Sequence, residues 1–227
     1  MVKWNNTDLS TKGIIVEETP TITKGKKRIN TYDIEGRNGV LMVDKGTYES
    51  FVVSLPCHFN ETYSIDEIKS FLDGYGTLSL DGVREYEGII NNQIDFEAIE
   101  TSGFRKFPIQ VLCNPISHTI QSFEKTITST EESFEIDQTA NTYPLIELQG
   151  TGNLTITFNN KTFYLYNLDS TRTYYLDCNA KEFIDDLEHN ASNQMSGNFP
   201  YLKPNENTIS YTGTISSFKI TYKKAYL

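Results

Sequence analysis

Two prolines close to the end of the chain constrain its fold more than any other feature. Pro200 and Pro204 flank the segment Tyr201-Leu202-Lys203. Because proline lacks a backbone N–H and has a fixed φ, this segment cannot be helix or the inside of a central strand, and we predict a rigid, extended entry into a corner. Asn205 and Asn207 supply turn chemistry after it. Alternating apolar residues then predict two terminal strands, which contain Ile209, Tyr211, Ile215, Phe218, Ile220 and Tyr222.

The composition as a whole favours β structure. The 227 residues include 14 Tyr and 13 Phe, together with many Thr and Ile, which suit a pleated, half-buried surface. This length accommodates one large all-β domain or two modest ones. The three cysteines, Cys57, Cys113 and Cys178, are odd in number and far apart. We interpret them as small buried apolar side chains in a reducing compartment and not as a disulfide framework.

The charge and the N-terminus exclude several classes of protein. A net charge of −10 argues against a general nucleic-acid or membrane-surface binder, which would present a basic face. Residues 1–8 contain no apolar core of a secretory signal. No run approaches the roughly 18 apolar residues of a transmembrane helix. We therefore expect synthesis in the cytoplasm and no membrane association.

The first half of the chain predicts a β-rich unit with one helix. Residues 47–59 form the clearest early strand, with Val53, Leu55, Cys57 and Phe59 on one face. Pro56 in the same run predicts an edge position or a bulge. Long strands are expected over 84–100 and 104–113.

The predicted helix begins near residue 64. Ser64 and Glu67 have the spacing of a capping box, and Gly74 is a candidate left-handed C-cap. The helix is only about two and a half turns long, too short to be stable alone, so its apolar stripe must dock on a sheet. That stripe consists of Ile65, Ile68, Phe71 and Leu72.

Turn signals punctuate both halves. Gly36-Arg37-Asn38-Gly39, Asp81-Gly82 and Thr101-Ser102-Gly103 predict turns in the first half. Asn159-Asn160 predicts a two-residue hairpin loop in the second half. Asn114-Pro115 starts a short polar stretch and is the best candidate for a domain boundary.

We therefore predict two domains, residues 1–115 and residues 122–227. The second domain is expected to be an antiparallel sandwich of about eight short strands, with a helix near residues 180–190. Its predicted strands are 123–127, 133–136, 145–148, 154–158, 162–168, 173–176 and the two terminal ones.

The order of these segments resembles the siphophage distal tail proteins. Phe199 to Ile209 is similar to the pattern F-P-x-L-x-P-G-x-N-x-I at the end of their C-terminal domain, with Asn205 in place of the usual Gly. Asn also adopts positive φ, so the resemblance survives this departure. The turn at 36–39, the helix leading into 71–78, and the hairpin at 152–160 are similar to other segments of the family.

This resemblance implies a fold, a partner set and a location. The fold would be mainly β, with an N-terminal ring-forming domain and a C-terminal galectin-like sandwich. Such proteins form a hexameric ring at the tail tip that joins the tail tube to the tail-associated protein, and they contact receptor-binding or baseplate proteins. The resemblance implies a virion location, no catalytic residues, and no metal or cofactor.

The basic cluster Lys24, Lys26, Lys27 and Arg28 provides the interface candidates. One interpretation is an interface with an acidic surface of a neighbouring subunit or tail protein. The alternative is a solvated hairpin loop. Nucleic acid is a weaker partner, because the five-residue run 24–28, which holds these four cations and no aromatic residue, does not make a binding stripe.

The most enzyme-like cluster lies near residue 185. On a helix, Asp185 and His189 would share a face, so a metal or acid–base site is conceivable there. The alternative is a solvated helical face anchored by Phe183 and Leu187, and we favour it because no second cluster supplies ligands. The cluster comprises Glu182, Asp185, Asp186, Glu188 and His189.

An aromatic run supports the second functional hypothesis, a carbohydrate-binding module or adhesin. Aromatic side chains exposed on one sheet face can stack on sugar rings, whereas strand alternation places about half of them inside a sandwich, and we favour core packing. A glycosidase ranks third, since acidic pairs occur by chance in a chain with 30 acids. The run contains Phe163, Tyr164, Tyr166, Tyr174 and Tyr175.

Overall fold

The computed structural model describes residues 1–60, 62–99 and 103–227. Within these ranges the chain is mainly β, with antiparallel sheets and one α-helix, which confirms the predicted fold class. The chain divides into two compact units, residues 1–120 and residues 121–226. None of the helices in the described ranges combines the length and the apolar character needed to cross a membrane.

The first unit is built on an antiparallel sheet with a separate two-stranded hairpin. Its strands are β1 (Lys3–Trp4), β2 (Thr7–Asp8), β3 (Ile14–Val16), β4 (Lys27–Asp33), β5 (Val40–Tyr48), β6 (Phe51–Asn60), β7 (Tyr75–Ser79), β8 (Arg84–Ile90), β9 (Glu97–Ile99) and β10 (Phe104–Thr119). The strand order is β2-β1-β7-β8-β10-β6-β3, and β9 also pairs with β10. Strands β4 and β5 pair with each other and with no other described strand.

Strand β6 contributes one face to the core, as predicted. Its alternate residues Val53 to Phe59 are buried, and they pack with β10 residues such as Phe107. Pro56 is not in an edge strand, because β6 pairs with β10 on one side and β3 on the other. It lies directly opposite Pro108, and its carbonyl accepts the N–H of Glu17 on the β3 side. The missing donor of Pro56 therefore faces Glu17, directly after β3, so proline forgoes only the reciprocal bond at the end of this ladder.

The predicted helix is present as α1 (Ile65–Phe71), but its capping box is not formed. Ser64 occupies the N-cap position with extended backbone, yet its side chain makes no capping hydrogen bond. Docking on the sheet instead stabilises the short helix. Ile68 and Leu72 are buried in the core, and Gly74 has the expected positive φ of 82°.

The predicted boundary at Asn114-Pro115 lies inside strand β10. The strand continues to Thr119, with a register shift between Cys113 and Ser117. This bulge accommodates Pro115, because a residue in a bulge is left unpaired and needs no backbone N–H donor. The turn predicted at Thr101-Ser102-Gly103 lies outside the described residues except for Gly103, whose φ is 67°.

The second unit contains one antiparallel sheet that curls around an apolar core. Its eight strands are β11 (Phe123–Thr126), β12 (Glu131–Ile136), β13 (Leu145–Phe158), β14 (Lys161–Leu168), β15 (Tyr174–Asp177), β16 (Glu182–Asp185), β17 (Met195–Gly197) and β18 (Asn205–Tyr222). The short strand β19 (Ala225–Tyr226) follows β18 and is not part of this sheet. The strand order is β11-β18-β13-β14-β17, with β12 on β18 and with β15 and then β16 beside β13.

Two long strands organise this unit, where sequence analysis predicted four short ones. Strand β13 joins the predicted strands 145–148 and 154–158, and β18 joins the two terminal strands. Register shifts at Gln149/Gly150 and Thr151/Thr155 bend β13 without ending it. Bulges of this kind turn a strand from one layer to the next, so one strand contributes to both ends of the curled sheet.

The proline-flanked segment enters β18 through the predicted corner. Asn205 has a φ of 65°, as expected for a residue that replaces glycine. Asn207 is fully buried. Its side-chain oxygen accepts hydrogen bonds from the Lys203 N–H and the Asn159 side-chain amide, and its side-chain amide donates to the Lys203 carbonyl. Asn159 and Asn160 form the predicted two-residue loop with φ of 48° and 66°. Asparagine side chains therefore hold the corner and the neighbouring hairpin together.

Candidate functional site

The most prominent unpartnered feature of the first unit is a β-hairpin. We call residues 24–49 the arm. Strands β4 and β5 form its two sides, and a turn at residues 34–39 forms its tip, with Gly36 and Gly39 both at φ 77°. The N–H of Glu49 donates to the carbonyl of Lys26 at 2.7 Å and closes the base.

The arm exposes apolar side chains on both of its faces. Tyr32 pairs with Leu41, and Asn30 pairs with Val43, so these side chains share one face. Ile29 and Met42 lie on the opposite face by the same register. Tyr32 is 51% exposed, and Met42 is 66% exposed. No apolar residue of the arm belongs to the core of the described first unit.

Two of the four predicted interface cations make contacts within the arm. Lys27 forms an ion pair with Asp44, which also accepts the N–H of Gly46 at 2.8 Å. These bonds lower the pKa of Asp44, and the ion pair raises the pKa of Lys27. The Lys24 ammonium lies 5.9 Å from the centre of the Tyr48 ring. Both contacts stabilise the base of the arm.

The other two interface candidates remain exposed. Lys26 and Arg28 have no acidic partner among the described residues. The arm carries six basic and four acidic side chains, whereas the rest of residues 1–120 carries six basic and thirteen acidic. In the first unit the arm is therefore basic and exposes apolar side chains, whereas the other residues carry a net negative charge.

An acidic groove borders the edge strand β3. It has a volume of about 430 Å³ and is lined by Ile14, Ile15 and Leu80 together with Glu17 and Glu18. Ile15 points outward and is 48% exposed. Lys106 and His58 contact Glu17 at 3.2 Å and hold its pKa below the usual value, whereas Glu18 has no partner within the described residues. The groove thus has the opposite charge to the arm and a similar apolar character.

The enzyme-like cluster lies on a strand and a turn, and the predicted helix at 180–190 is wrong. Residues 182–185 form β16, and Glu188 has a φ of 61° that ends any helical continuation. Phe183 is buried against Tyr174. The burial of Phe183 in the core therefore fixes this segment as a strand, although the spacing of its charged residues is helical.

Asp185 and His189 are nevertheless in contact, in a role that the turn explains. The Asp185 carboxylate accepts the backbone N–H groups of His189 and Leu187, and its other oxygen lies 3.2 Å from His189 Nδ1. Partial burial opposes ionisation, but these bonds hold the pKa of Asp185 below its usual value. Arg172 contacts Asp186 at 3.3 Å. Across residues 1–60, 62–99 and 103–227, no group of three or more His, Cys, Asp or Glu residues is arranged to hold a metal ion.

The cysteines are buried and unpaired, as predicted. Burial raises the pKa of Cys57 and of Cys113 to about 12, and it raises the pKa of Cys178 even further. The thiolate fraction at neutral pH is therefore negligible, and these side chains act as apolar core residues.

The aromatic run divides between core and surface. Phe163 and Tyr174 are buried in the core of the second unit, as core packing predicts. Tyr164 and Tyr166 point outward instead and are 41% and 38% exposed. Strand alternation on β14 explains the division.

Sequence reasoning found the basic cluster but missed the exposed apolar faces of the arm. A signal was present in the run Val40-Leu41-Met42-Val43, which does not alternate. A strand whose apolar residues do not alternate with polar ones is apolar on both faces, which is typical of a strand that other protein segments cover on both faces.

Comparison with known proteins gives matches of structure only. No family model matches the chain, and no curated protein matches it at significant similarity. The crystal structure of the phage SPP1 Dit protein, described as a paradigm of the hub adsorption apparatus of phages that infect Gram-positive bacteria, is similar with a TM-score of 0.78 and 12% identity. That alignment covers 100% of this chain and 98% of the SPP1 chain.

Two structures of the phage P2 baseplate in its activated conformation are also similar. The structure with Ca has a TM-score of 0.53 and 7% identity, over 96% of this chain and 92% of that chain. The structure with Sr has a TM-score of 0.50 and 8% identity, over 94% and 92%. The resemblance predicted from sequence is thereby confirmed at the level of the fold, which is that of phage hub and baseplate proteins.

Proposed function

We propose that this protein is a non-catalytic structural component of a phage virion, a distal tail adaptor. Six copies form a ring that links the tail tube to the tail-tip and baseplate proteins of a long, non-contractile tail. The observation that carries the proposal is the fold match to the SPP1 Dit protein over essentially the full length of both chains. The family-like motifs at residues 36–39, 71–78 and 199–209 support it independently of the fold.

In this proposal the arm closes the ring. A two-stranded hairpin is marginally stable alone in water, and this one has apolar side chains on both faces. Burial between subunits would cover both faces and would stabilise the arm by removing apolar area from water. A head-to-tail contact of this kind generates a closed ring when the rotation between subunits is suitable.

The groove beside β3 is the proposed acceptor for the arm of the next subunit. Its apolar floor at Ile14, Ile15 and Leu80 suits the apolar faces of the arm. The free carboxylate of Glu18 lies at its rim and complements the free cations Lys26 and Arg28. Such exposed charges steer association and fix register more than they add affinity.

The absence of catalysis and of a cofactor belongs to the same proposal. The contacts of Asp185 with backbone N–H groups support a turn-stabilising role for the most enzyme-like cluster. The three buried thiols, with their raised pKa values, are poor nucleophiles. The acidic net charge of −10 is compatible with a ring lumen that does not retain passing DNA.

Native mass spectrometry and electron microscopy of the purified chain test this function. A hexamer of 25.9-kDa chains has a mass of about 155 kDa, and images should show rings with a central hole. Immunogold labelling of the phage particle should place the protein at the distal end of the tail. A chain that stays monomeric at about 100 μM and is absent from purified particles would refute the proposal.

A further inference from the structure

The second unit presents an uncharged sheet face beside its pair of exposed tyrosines. Strand alternation turns Phe163 and Leu165 of β14 into the core and turns Tyr164 and Tyr166 outward. The two rings lie with their centres 6.4 Å apart and their planes inclined by only 14°. The two rings are therefore nearly parallel, and both are partly exposed to solvent.

Hydroxyl side chains lie in register beside Tyr164 and in the next row of the same face. One row across four strands consists of Ser196, Tyr164, Thr155 and Thr212. Directly opposed residues of antiparallel strands share a face, so their side chains are neighbours. A second row contains Thr162, Thr157 and Ser210, in which the Thr157 and Thr162 hydroxyls are 2.9 Å apart.

The charge of this face distinguishes it from the rest of the protein. Charged residues make up 22% of the chain, but none occurs in either row. The first carboxylate is that of Glu131, which lies beside Ser210 on β12 at the margin of the face. An anionic polymer would find no cation within the rows, and a cationic partner would find no anion there.

We propose that this face, which we call the tyrosine face, is a binding site for a neutral glycan. A sugar ring has an apolar C–H surface that stacks on an aromatic ring and a rim of hydroxyls that both donate and accept hydrogen bonds. The tyrosine rings supply the first contact at low conformational-entropy cost, and the Ser, Thr and Tyr hydroxyls supply the second. Four strands spaced about 4.8 Å apart give a face about 14 Å wide, enough for a short oligosaccharide.

Isothermal titration calorimetry of the full chain tests the site with four neutral probes: maltohexaose, cellohexaose, laminarihexaose and chitohexaose. We expect saturable, millimolar or tighter binding of at least one of them. The double variant Tyr164→Thr/Tyr166→Thr keeps β-forming residues on the strand and should weaken that binding at least tenfold. The double variant Tyr164→Phe/Tyr166→Phe keeps both rings and should remain within about threefold of the wild-type affinity.

Tyr143→Thr provides the matched control, since Tyr143 is 50% exposed in the same unit and its ring packs against Tyr201, not against Tyr164 or Tyr166. Its affinity should equal that of the wild type. Absence of binding by all four probes at 10 mM, or binding that the Thr double variant leaves unchanged, overturns the site. So does an equal loss in the Phe variant. Because binding is measured on the free chain, this outcome is independent of whether the chain forms a tail ring.

Discussion

Two hairpins of this protein are alike in backbone and opposite in chemistry. The arm and the β13–β14 hairpin are both antiparallel pairs joined by turns with positive φ. In the β13–β14 hairpin, Ile156 and Phe163 are directly opposed and buried, while the alternate positions Thr162 and Tyr164 face outward. In the arm, apolar side chains lie on both faces and are exposed. The core of the second unit covers the β13–β14 hairpin, whereas under the proposed function a second copy of the chain covers the arm.

The largest effect is expected from disrupting one apolar face of the arm. Tyr32→Asp/Val43→Asp places two carboxylates on the face that the proposed ring buries, where unpaired charge is strongly unfavourable. We expect assembly to weaken by more than about a hundredfold, with the mass shifting to that of one 25.9-kDa chain. Analytical ultracentrifugation measures the shift.

The matched control for the arm uses two exposed apolar residues of the second unit. Tyr143→Asp/Leu187→Asp changes side chains that are 50% and 55% exposed. Assembly of this variant should equal that of the wild type. If both double variants assemble equally well, the arm is not an assembly element.

The second prediction compares the hairpins by stability. Phe163→Ala leaves a cavity in the core of the second unit and should cost about 3–5 kcal/mol of its unfolding free energy. Leu41→Ala, in the arm, should change the unfolding free energy of the dissociated chain by less than about 0.5 kcal/mol.

Two natural reporters follow the units separately in a denaturant titration. Trp4, the single tryptophan, is buried in the first unit, and Cys178 is buried in the second. Phe163→Ala should lower the denaturant concentration at which Cys178 becomes alkylated, while the Trp4 emission transition stays in place. A simultaneous shift of both transitions would contradict the prediction that the two units fold as independent domains.

The third prediction concerns the free charges. Lys26→Glu/Arg28→Glu should weaken assembly about tenfold at low salt and less at high salt. Exposed charges steer the association of subunits, and dissolved salt screens this attraction. Adding Glu18→Lys should restore much of the loss by re-forming complementary charges. Lys27→Glu serves as a contrast, since it breaks the pair with Asp44 inside the arm and should not be rescued by Glu18→Lys. Lack of rescue in the triple variant argues against the groove beside β3 as the acceptor.

The smallest effect is expected at Asp185. Its pKa is lowered in the folded chain, so its ionised form contributes stability above the usual pKa of 3.8, and this contribution is lost as the pH falls through the folded pKa. Asp185→Asn should therefore be modestly less stable than the wild type at pH 7, with the difference shrinking below about pH 4. Thermal unfolding across pH measures this. Assembly and metal content should not change, and a stoichiometric metal lost in the variant would contradict the structural role.

The sequence predicts the short helix and the turns of this fold better than it predicts where the long strands begin and end. Helix α1, the Asn159-Asn160 loop and the positive φ of Asn205 follow from spacing and side-chain chemistry. The sequence predicts β13 and β18 each as two separate strands, because glycine and polar residues interrupt the alternation of apolar residues. The hydrogen-bonded register between β13 and β18 shows that each strand is continuous and contains bulges at these interruptions. Asn114-Pro115 and the polar stretch after it predicted a domain boundary, yet β10 accommodates the proline in a register shift.

The candidate assembly surface was predictable only in part. Four neighbouring cations identify the base of the arm, but sequence alone does not reveal that Asp44 pairs with Lys27 across two strands. It also does not show that Val40 to Val43 lack a covering layer, because burial depends on the packing of distant segments. Likewise, the outward direction of Tyr164 and Tyr166 depends on which face of β14 the core occupies.

Hydrogen exchange of the arm amides across a concentration series tests the central claim most directly. We expect the amides of residues 29–43 to exchange rapidly in the dilute, monomeric chain and to become protected as the chain assembles. Amides of the β13–β14 hairpin should be protected equally at all concentrations, because their cover is intramolecular. Arm amides that are strongly protected in the monomer, or that remain unprotected in an assembled ring, would contradict the claim that a second copy covers the arm.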